Sequence, residues 1–255
     1  MNNPVKTALE KRKVTVGTWL QVGHPAVAEI LSAAGFDWLA VDMEHTDIDV
    51  GGFAALARAM ASTKTMPLAR VRANEPLAIR QVLDAGAMGV IVPLVHTADQ
   101  AAAAVAAAKF PPDGVRGYSF CRANQWGAGF DVYAAGANRA VAVIAMIESR
   151  QAVENIDAIC AVGGLDGVFV GPYDMSGSFG RPGETSAAEV RDACRTVVDA
   201  CQRARMSAGM HVVVPGDDNL RATVQAGYTC LAVGTDTVFL RYGGAQALQL
   251  ARGAT

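Results

Sequence analysis

Two acidic residues each follow an apolar run that has the length of a buried strand. Glu148 comes directly after residues 140–147, and Asp174 follows residues 167–170 across a Gly-Pro turn. Hard cations such as Mg²⁺ and Mn²⁺ favour oxygen donors, and Mg²⁺ is often bound by one or two carboxylates together with water and substrate. The pair therefore predicts a divalent metal site. The spacing alone is equally compatible with Asp174 capping a turn and Glu148 ending a strand in solvent.

Further polar residues occur at or near the ends of other predicted strands. Asp42, Glu44 and His45 close the second strand and its exit, and Arg70 lies near the end of the third. A histidine beside acidic residues is a candidate general base, although a single histidine is more often structural. An arginine can bind a substrate carboxylate through two hydrogen bonds, or it can form an ion pair inside the barrel. His211 lies within a strand and is expected to be a packed, hydrogen-bonded core residue.

The positions of the lysines bear on the mechanism. An imine-forming aldolase needs a lysine that projects into its active site. Lys64 and Lys109 are predicted at helix C-termini, on the opposite rim from the strand ends, and no lysine follows Lys109. Lys6, Lys11 and Lys13 precede the first strand. An imine mechanism is therefore nearly excluded, so that a carbonyl group must be activated by a metal ion or by arginine and hydrogen bonds.

The order of apolar runs and helical segments predicts the fold. Eight short apolar strands alternate with helices over 255 residues, a length typical of a (β/α)₈ barrel. We therefore predict one TIM-barrel domain over residues 1–255, with ligands bound at the C-terminal ends of the strands. The longest irregular segment, residues 111–138, is expected to be functional or mobile. The predicted strands are residues 15–22, 36–42, 66–71, 89–94, 140–147, 166–170, 208–213 and 230–233.

Composition and charge argue against several classes of protein. The formal net charge is -2 and no run of lysine or arginine occurs, so nucleic acid and anionic membranes are not expected as partners. No apolar stretch reaches the ~20 residues of a membrane span. The five cysteines form no Cys-x-x-Cys pair, and we expect them to be reduced, in a cytoplasmic protein. The exits of the seventh and eighth strands are acidic and no nucleotide-binding fingerprint is present, which argues against a phosphorylated substrate or a nucleotide cofactor.

Seven motifs, in the same order, resemble the HpcH/HpaI family of metal-dependent (class II) 2-oxo acid aldolases, which is related to the citrate lyase β-subunit. Together they cover most of the chain, and their order makes the resemblance far more specific than any one motif. The motifs are residues 17–19, 35–45, 67–70, 83–87, 112–117, 147–149 and 166–176.

The resemblance implies a role for each candidate residue. Glu148 and Asp174 would match the family's metal ligands, with Mg²⁺ or Mn²⁺ as the ion and Co²⁺ as a third candidate. His45 would match the base, with Asp84 raising its basicity, and Arg70 would match the residue that steadies the enolate. The other expected substrate contacts are Gly171, Pro172, Tyr173 and Met146. Many family members carry a glutamine at the last of these positions, and a thioether is only a weak hydrogen-bond acceptor.

The resemblance also implies the reaction. The enolate of pyruvate, or of hydroxypyruvate, adds to an aldehyde, and the reverse reaction cleaves a 4-hydroxy-2-oxo acid. The pocket for the aldehyde is expected to include Trp19, Arg122, Asn124 and Trp126. The family assembles as hexamers, built as trimers of dimers that exchange the C-terminal helix, and this implies the same homo-oligomer here.

Two other functions stay open at this point. An acyl-CoA lyase of the citrate lyase β-subunit type would use the same two carboxylates in a CoA-sized cleft, although the chain is short and has no basic patch for the adenine phosphate. A catalytically silent barrel could serve as a binding or assembly subunit, but it would have no need to keep Glu148, Asp174, His45 and Arg70 together. The sequence does not indicate the natural aldehyde or the preferred metal.

Overall fold

The computed structural model of the protein describes residues 2–254, which contain eight parallel strands in a closed barrel. Each strand pairs with the next in the chain, and the eighth pairs with the first. The predicted (β/α)₈ TIM barrel is therefore confirmed. The strands are β1 (Thr15–Leu20), β2 (Trp38–Asp42), β3 (Met66–Arg70), β4 (Gly89–Val92), β5 (Ala142–Ile147), β6 (Gly167–Val170), β7 (Ser207–Val212) and β8 (Cys230–Thr235).

Helices surround the barrel, and most of them run from one strand back to the start of the next. They are α1 (Pro4–Glu10), α2 (Pro25–Ala33), α3 (Val50–Ala59), α4 (Pro76–Asp84), α5 (Ala98–Ala108), α6 (Phe130–Ala140), α7 (Arg150–Glu154), α8 (Ile156–Cys160), α9 (Pro172–Ser178), α10 (Ala188–Ala204), α11 (Asp217–Gln225) and α12 (Asp236–Gly253). Two 3₁₀ segments, Met60–Ser62 and Arg122–Gly127, complete the described elements. No helix among residues 2–254 is long and apolar enough to cross a membrane.

Local capping fixes where several helices begin at the C-terminal rim of the barrel. Asp49 accepts a hydrogen bond from Gly52 N at the start of α3, and Ser149 accepts one from Ala152 N at the start of α7. Thr97 opens α5 with a capping box, in which its side chain and that of Gln100 each bond the other's backbone. Such caps satisfy N–H groups that have no partner within the helix. The polar loops after the strands are thus held in defined conformations.

Two apolar layers hold the barrel. The strands are buried on both faces, as expected for a parallel sheet covered by helices. Inside, the ring of Trp38 lies against Gly17 and the ring of Phe169 lies against Gly209, at positions where an added Cβ would be 2.0 Å and 2.3 Å from ring carbons. The two glycines therefore make room for large aromatic side chains that fill the barrel.

The N-terminal helix α1 closes the bottom of the barrel and was not predicted from the sequence. Val5 and Leu9 are buried against the inner apolar cluster. The side chain of Asn3 donates to the carbonyl oxygens of Met88 and Ala140 at 2.8 Å. This helix has only seven residues and buries two apolar side chains, Val5 and Leu9. Its sequence is therefore too short to show the apolar periodicity of a helix.

Three other predicted boundaries differ from the structure. The sequence pattern predicts a C-terminal helix over residues 245–252, but α12 begins at Asp236, directly after β8. The segment at residues 111–138 is not wholly irregular, because it contains a 3₁₀ segment and most of α6. The pattern also predicts one helix over residues 153–162, whereas the structure has two short helices, α7 and α8. Gly243 and Gly244 lie inside α12 without ending it, whereas Asn155 separates α7 from α8.

Asp236 explains part of the acidic sequence after β8. Its carboxylate accepts hydrogen bonds from the backbone N–H groups of Gln21, Val22 and Thr237 at 2.8–3.0 Å. The residue is buried and joins the exit of β1 to the exit of β8. Asp236 therefore serves the closure of the barrel rather than ligand binding. All five cysteines are free, in agreement with the predicted reduced state.

Candidate active site at the C-terminal rim

Four side chains from alternate strands form one layer at the mouth of the barrel. Trp19, Arg70, Met146 and His211 come from β1, β3, β5 and β7. The strand pairing relates the four residues in the same way. From each of them, the residues paired across two successive strands lead to a position two residues before the next member of the layer, and the last step returns to β1. TIM barrels are filled by such layers of four side chains. All four residues line a cavity of about 800 Å³.

Arg70 is held in a fixed orientation by a buried acid. Its Nε lies 2.9 Å from Oδ1 of Asp42 and its Nη2 lies 2.5 Å from Oδ2, a two-point ion pair. Burial opposes ionisation of Asp42, but the hydrogen bonds and charge of Arg70 outweigh it and hold the pKa of Asp42 below its usual range. The guanidinium also lies 4.6 Å from the ring centre of Trp19. Arg70 therefore forms the ion pair and lines the cavity at the same time.

Glu148 is positioned by the backbone of the neighbouring β4 exit. Leu94 N donates to Oε1 of Glu148 at 2.7 Å. The other oxygen, Oε2, faces Gly171, where an added Cβ would lie only 3.1 Å away. Burial raises the pKa of Glu148, and the charge of Asp174 adds to the increase, whereas Leu94 N–H and Arg70 oppose it. The electrostatic interaction with Asp174 means that both predicted metal ligands lie on the same rim.

Glu44 is a third acid at this rim, which the sequence reasoning did not place among the site residues. Its Oε2 is buried without a hydrogen-bond partner among residues 2–254, and it lies 3.5 Å from Nη1 of Arg70. Burial raises the pKa of Glu44, and the charges of Glu148 and Asp42 act in the same direction. Its place two residues after the end of β2 was the available signal.

The donor set fits a divalent ion that keeps water and substrate ligands. Within residues 2–254, no group of three or more histidine, cysteine or acidic side chains is arranged to hold a metal by itself. Asp174 lines the cavity and Glu148 faces Gly171, which also lines it, and Mg²⁺ is commonly bound through one or two carboxylates plus other oxygens. The unpartnered oxygen of Glu44 is suited to accept from a metal-bound water. The residues present therefore fit such an ion.

His45 lies at the rim beside these acids, but Asp84 does not lie near it within the chain. The side chain of His45 is 57% exposed, and its Nε2 is 3.5 Å from Oε2 of Glu44. Asp84 ends α4, so it lies at the N-terminal rim, where its Oδ1 accepts from Arg116 at 2.7 Å. The predicted interaction of Asp84 with His45 is thus not formed within one chain. A helix that returns to the start of a strand must end at the opposite rim from the site.

The same geometry corrects most of the predicted aldehyde pocket. Arg122 donates to the carbonyl oxygens of Ala85 and Ala57, and the side chain of Asn124 donates to Ser119 O. Trp126 is exposed in the same segment, next to residues 86–88 that precede β4. This segment starts after α5 and ends before β5, so both of its ends lie at the N-terminal rim. Arg122, Asn124 and Trp126 therefore lie outside the cavity within one chain, whereas Trp19 lines it.

The other predicted substrate contacts are brought together. Gly171, Pro172, Tyr173 and Met146 all line the cavity with Asp174. Asp174 lies in the first turn of α9, which begins directly after β6. The Gly-Pro turn thus places this acid at the edge of the cavity, close to the end of β6.

Gly171→Ala is expected to lower activity about 10²-fold, because the new Cβ would lie 2.9 Å from Cβ and 3.1 Å from Oε2 of Glu148 and would displace that side chain. The measurement is kcat/KM for cleavage of a 4-hydroxy-2-oxo acid. Gly177→Ala is a matched control in the same helix α9, because its Cβ would meet no heavy atom within 4 Å. Equal activity of the two variants would contradict this placement of Glu148.

His211 is packed and hydrogen-bonded within β7, as predicted, but it lines the cavity and is only half-buried rather than lying in the core. Burial lowers the pKa of its imidazole from 6.5 to about 4. The unfolded chain therefore takes up a proton first as the pH falls, so the stabilising contribution is complete above pH 6.5 and is lost toward pH 4.

The pH dependence of stability tests this assignment. The unfolding free energy of the wild type and of His211→Leu is measured by urea denaturation at pH 7.5 and at pH 5. We expect the decrease between the two pH values to be about 2 kcal/mol larger for the wild type. Parallel pH dependences of the two proteins would show that the His211 pKa is not lowered.

Comparison with known proteins places this barrel, with its acids and arginine at the C-terminal rim, in a class of carbon–carbon lyases. The model of the family described as HpcH/HpaI aldolase/citrate lyase matches residues 15–242. The chain belongs to this family.

Individual relatives support the same assignment. A 5-keto-4-deoxy-D-glucarate aldolase of Escherichia coli is 36% identical over 247 residues, covering 94% of this chain and 95% of the relative. The crystal structure of an HpcH/HpaI aldolase/citrate lyase family protein from Burkholderia cenocepacia has a TM-score of 0.94 at 36% identity, covering 98% of this chain and 100% of that one. An HpcH/HpaI aldolase from Desulfitobacterium hafniense has a TM-score of 0.88 at 27% identity, covering 97% and 96%.

These relatives separate the aldolase function from the acyl-CoA lyase alternative. The predicted aldolase-type lyase is confirmed. The citrate lyase β-subunit from M. tuberculosis is similar in fold alone, with 16% identity, a TM-score of 0.57 and coverage of 89% of this chain and 93% of that one. The acyl-CoA lyase alternative is therefore matched only distantly.

Proposed function

We propose that Glu148 and Asp174 hold a divalent cation, Mg²⁺ or Mn²⁺ with Co²⁺ as a third candidate, and that this site forms the enolate of pyruvate or hydroxypyruvate. The reaction is the reversible cleavage of a 4-hydroxy-2-oxo acid into this 2-oxo acid and an aldehyde. The observation that carries the proposal is the free oxygen of Glu148 beside Gly171, with Asp174 close enough to raise the pKa of Glu148. The relatives named 5-keto-4-deoxy-D-glucarate aldolase support a keto acid as the substrate.

Each residue at the rim has a chemical task. Glu148 and Asp174 would hold the cation, which would supply Lewis-acid chemistry that favours loss of a proton next to the ketone. Arg70 offers its Nη1–H groups, which Asp42 does not occupy and which lie 3.5 Å from Oε2 of Glu44, to the developing negative charge on the enolate oxygen. His45 is exposed at the rim and moves the proton, a task that contributes roughly 10²–10⁴-fold in enzymes. Gly171 and the Pro172–Tyr173 backbone line the place of the 2-oxo acid.

The lysines support a mechanism without an imine. No lysine lines the cavity in the described part of the chain. Lys109 donates to the carbonyl oxygens of Asn138 and Val141. Lys6, in α1, forms an ion pair with Asp166. Both are structural residues at the N-terminal rim, so neither amine can reach a substrate carbonyl at the opposite end of the barrel.

Hydrogen–deuterium exchange at C3 of pyruvate tests the enolate directly. The wild type is expected to catalyse exchange in D₂O, followed by proton NMR, and to release pyruvate from a 4-hydroxy-2-oxo acid. Treatment with a chelator should stop both reactions, and Mg²⁺, Mn²⁺ or Co²⁺ should restore them. Full activity after the chelator has removed all bound metal would refute the metal's role.

The assembly is also part of the proposal. We propose that the chain forms a homo-hexamer, a trimer of dimers in which α12 packs on a neighbouring subunit. Beyond Asp236, no side chain of α12 is buried within the chain, and Leu248 and Leu250 are exposed apolar residues. An apolar helix surface of this kind is typical of an interface. A cytoplasmic location stays a prediction.

Sedimentation velocity tests the assembly. The double variant Leu248→Glu/Leu250→Glu is expected to shift the protein to smaller species while the barrel stays folded, because both side chains are exposed in the single chain. Ile30→Glu on α2 replaces an apolar residue of similar exposure and serves as the control. A hexamer that survives the α12 changes would contradict the proposed exchange.

A further inference from the structure

His211 occupies the fourth position of the layer at the barrel mouth, directly across the barrel from Arg70. Strands β7 and β3 lie four strands apart in a barrel of eight, so their side chains face each other. The imidazole packs edge-on against Trp19, with ring centres 6.2 Å apart at 65°. The reaction proposed above uses Arg70, His45 and the two acids, and it leaves His211 without a task.

The hydrogen bonding of His211 fixes which ring nitrogen carries the proton. Nε2 lies 3.0 Å from the carbonyl oxygen of Gly234. A carbonyl oxygen only accepts, so Nε2 is the N–H group and Nδ1 of the neutral ring presents a lone pair. Nδ1 has no hydrogen-bond partner among residues 2–254, and it is not sealed from the cavity. The lowered pKa, about 4, keeps the ring neutral at pH 7.

The other polar groups nearby do not offer the same free acceptor. The side-chain oxygen of Gln21 accepts from Thr235 and Thr237, and its nitrogen donates to Asp42. Arg70 only donates. The rest of the layer is the ring of Trp19 and the thioether of Met146, which is a weak acceptor. His211 thus provides a strong, uncharged acceptor in a layer whose other three side chains are apolar, donating or weakly accepting.

A lone pair at this place needs a ligand that donates a hydrogen bond. With pyruvate as the nucleophile, the 2-oxo acid carries only acceptor oxygens at neutral pH, so the hydrogen-bond donor has to come from the second substrate. We infer that His211 determines specificity for the second substrate, by accepting a hydrogen bond from a hydroxyl group next to the reacting carbonyl of the aldehyde. The inference rests on the proposed aldolase function and names hydroxylated aldehydes as its acceptor class.

The hydroxyl takes no part in bond formation. The new carbon–carbon bond joins C3 of the 2-oxo acid to the carbonyl carbon of the aldehyde, so the contact with His211 is the same before and during the reaction. Such a contact acts on binding more than on the chemical step, and its loss raises KM more than it lowers kcat. A hydrogen bond between neutral groups corresponds to about a tenfold effect at most sites.

The test compares two aldehydes of nearly equal size, glycolaldehyde and propanal, which differ by a hydroxyl in place of a methyl group. With pyruvate as the nucleophile, kcat/KM is measured for the wild type, His211→Leu and His211→Gln. In His211→Leu, the ratio of kcat/KM for glycolaldehyde over propanal should fall about tenfold, through the KM for glycolaldehyde. His211→Gln, which restores an acceptor oxygen, should recover part of the ratio.

Exchange of the pyruvate C3 protons is measured on the same proteins. It should be unchanged in both variants, since His211 has no contact with pyruvate in this account. If His211→Leu keeps the wild-type ratio of kcat/KM for the two aldehydes while it still exchanges the pyruvate protons, His211 does not bind the hydroxyl group and the inference is overturned. If the wild type fails to exchange these protons, the proposed function falls, and the inference with it.

Discussion

Glu148→Gln is expected to lower kcat/KM for cleavage of a 4-hydroxy-2-oxo acid by about 10³-fold, while the protein remains as stable as the wild type. Glutamine has the same shape and can still accept the hydrogen bond from Leu94 N, which lies 2.7 Å from Oε1. It has no negative charge, so a cation beside Asp174 loses half of its protein ligands. Because burial raises the pKa of Glu148, removing this charge should not destabilise the fold.

A matched substitution controls for the loss of one acid. Glu154→Gln changes an exposed glutamate at the end of α7, on the same βα unit, and should leave activity within twofold of the wild type. Thermal unfolding of both variants separates a catalytic effect from a structural one. A Glu148→Gln enzyme that retains a tenth or more of wild-type activity would refute the assignment of Glu148 as a metal ligand.

The second large effect is expected at Arg70, where one substitution has two consequences. Arg70→Met should reduce kcat/KM about 10²–10³-fold, because the enolate oxygen loses its charged donor. The variant should also lose about 3 kcal/mol of unfolding free energy, because Asp42 is fully buried and would be left without its counter-ion. Urea denaturation measures the stability, and the aldol cleavage assay measures the activity.

A double variant separates these consequences. Asp42→Asn removes the unpaired charge but can still accept the backbone N–H groups of Glu44 and His45 through its amide oxygen. Arg70→Met/Asp42→Asn should therefore recover most of the stability and none of the activity. If the double variant regained activity together with stability, Arg70 would have only a structural role.

The parts of the site that could be predicted from the sequence follow from one property of parallel barrels. Strands end at one rim, so residues such as Glu148, Asp174 and Arg70, at the ends of apolar runs, converge there. Asp84, Arg122, Asn124 and Trp126 were predicted near the site from motif resemblance or loop length. The place of Asp84 at the end of α4, and that of the other three after α5, already indicated the opposite rim.

Other residues were missed because their orientation depends on the sheet. His211 was expected in the core, since its neighbours in β7 are apolar or small. Its ring points into the barrel mouth because His211 lies two residues after Gly209, on the same face of β7. The pairing of β7 with β6 and β8 sets which face that is. Glu44 was noted in the sequence but was not assigned a role, because nothing in the pattern revealed that its oxygen would be buried without a partner.

A crystal structure of the protein with Mn²⁺ and pyruvate tests the central claim most directly. Anomalous scattering locates the ion independently of the refined ligands. The account predicts one Mn²⁺ bound by carboxylate oxygens of both Glu148 and Asp174, with the ketone and carboxylate oxygens of pyruvate completing its coordination and Arg70 next to the ketone oxygen. A Mn²⁺ peak away from these two acids, or pyruvate bound at the barrel mouth with no ion beside it, would contradict the account.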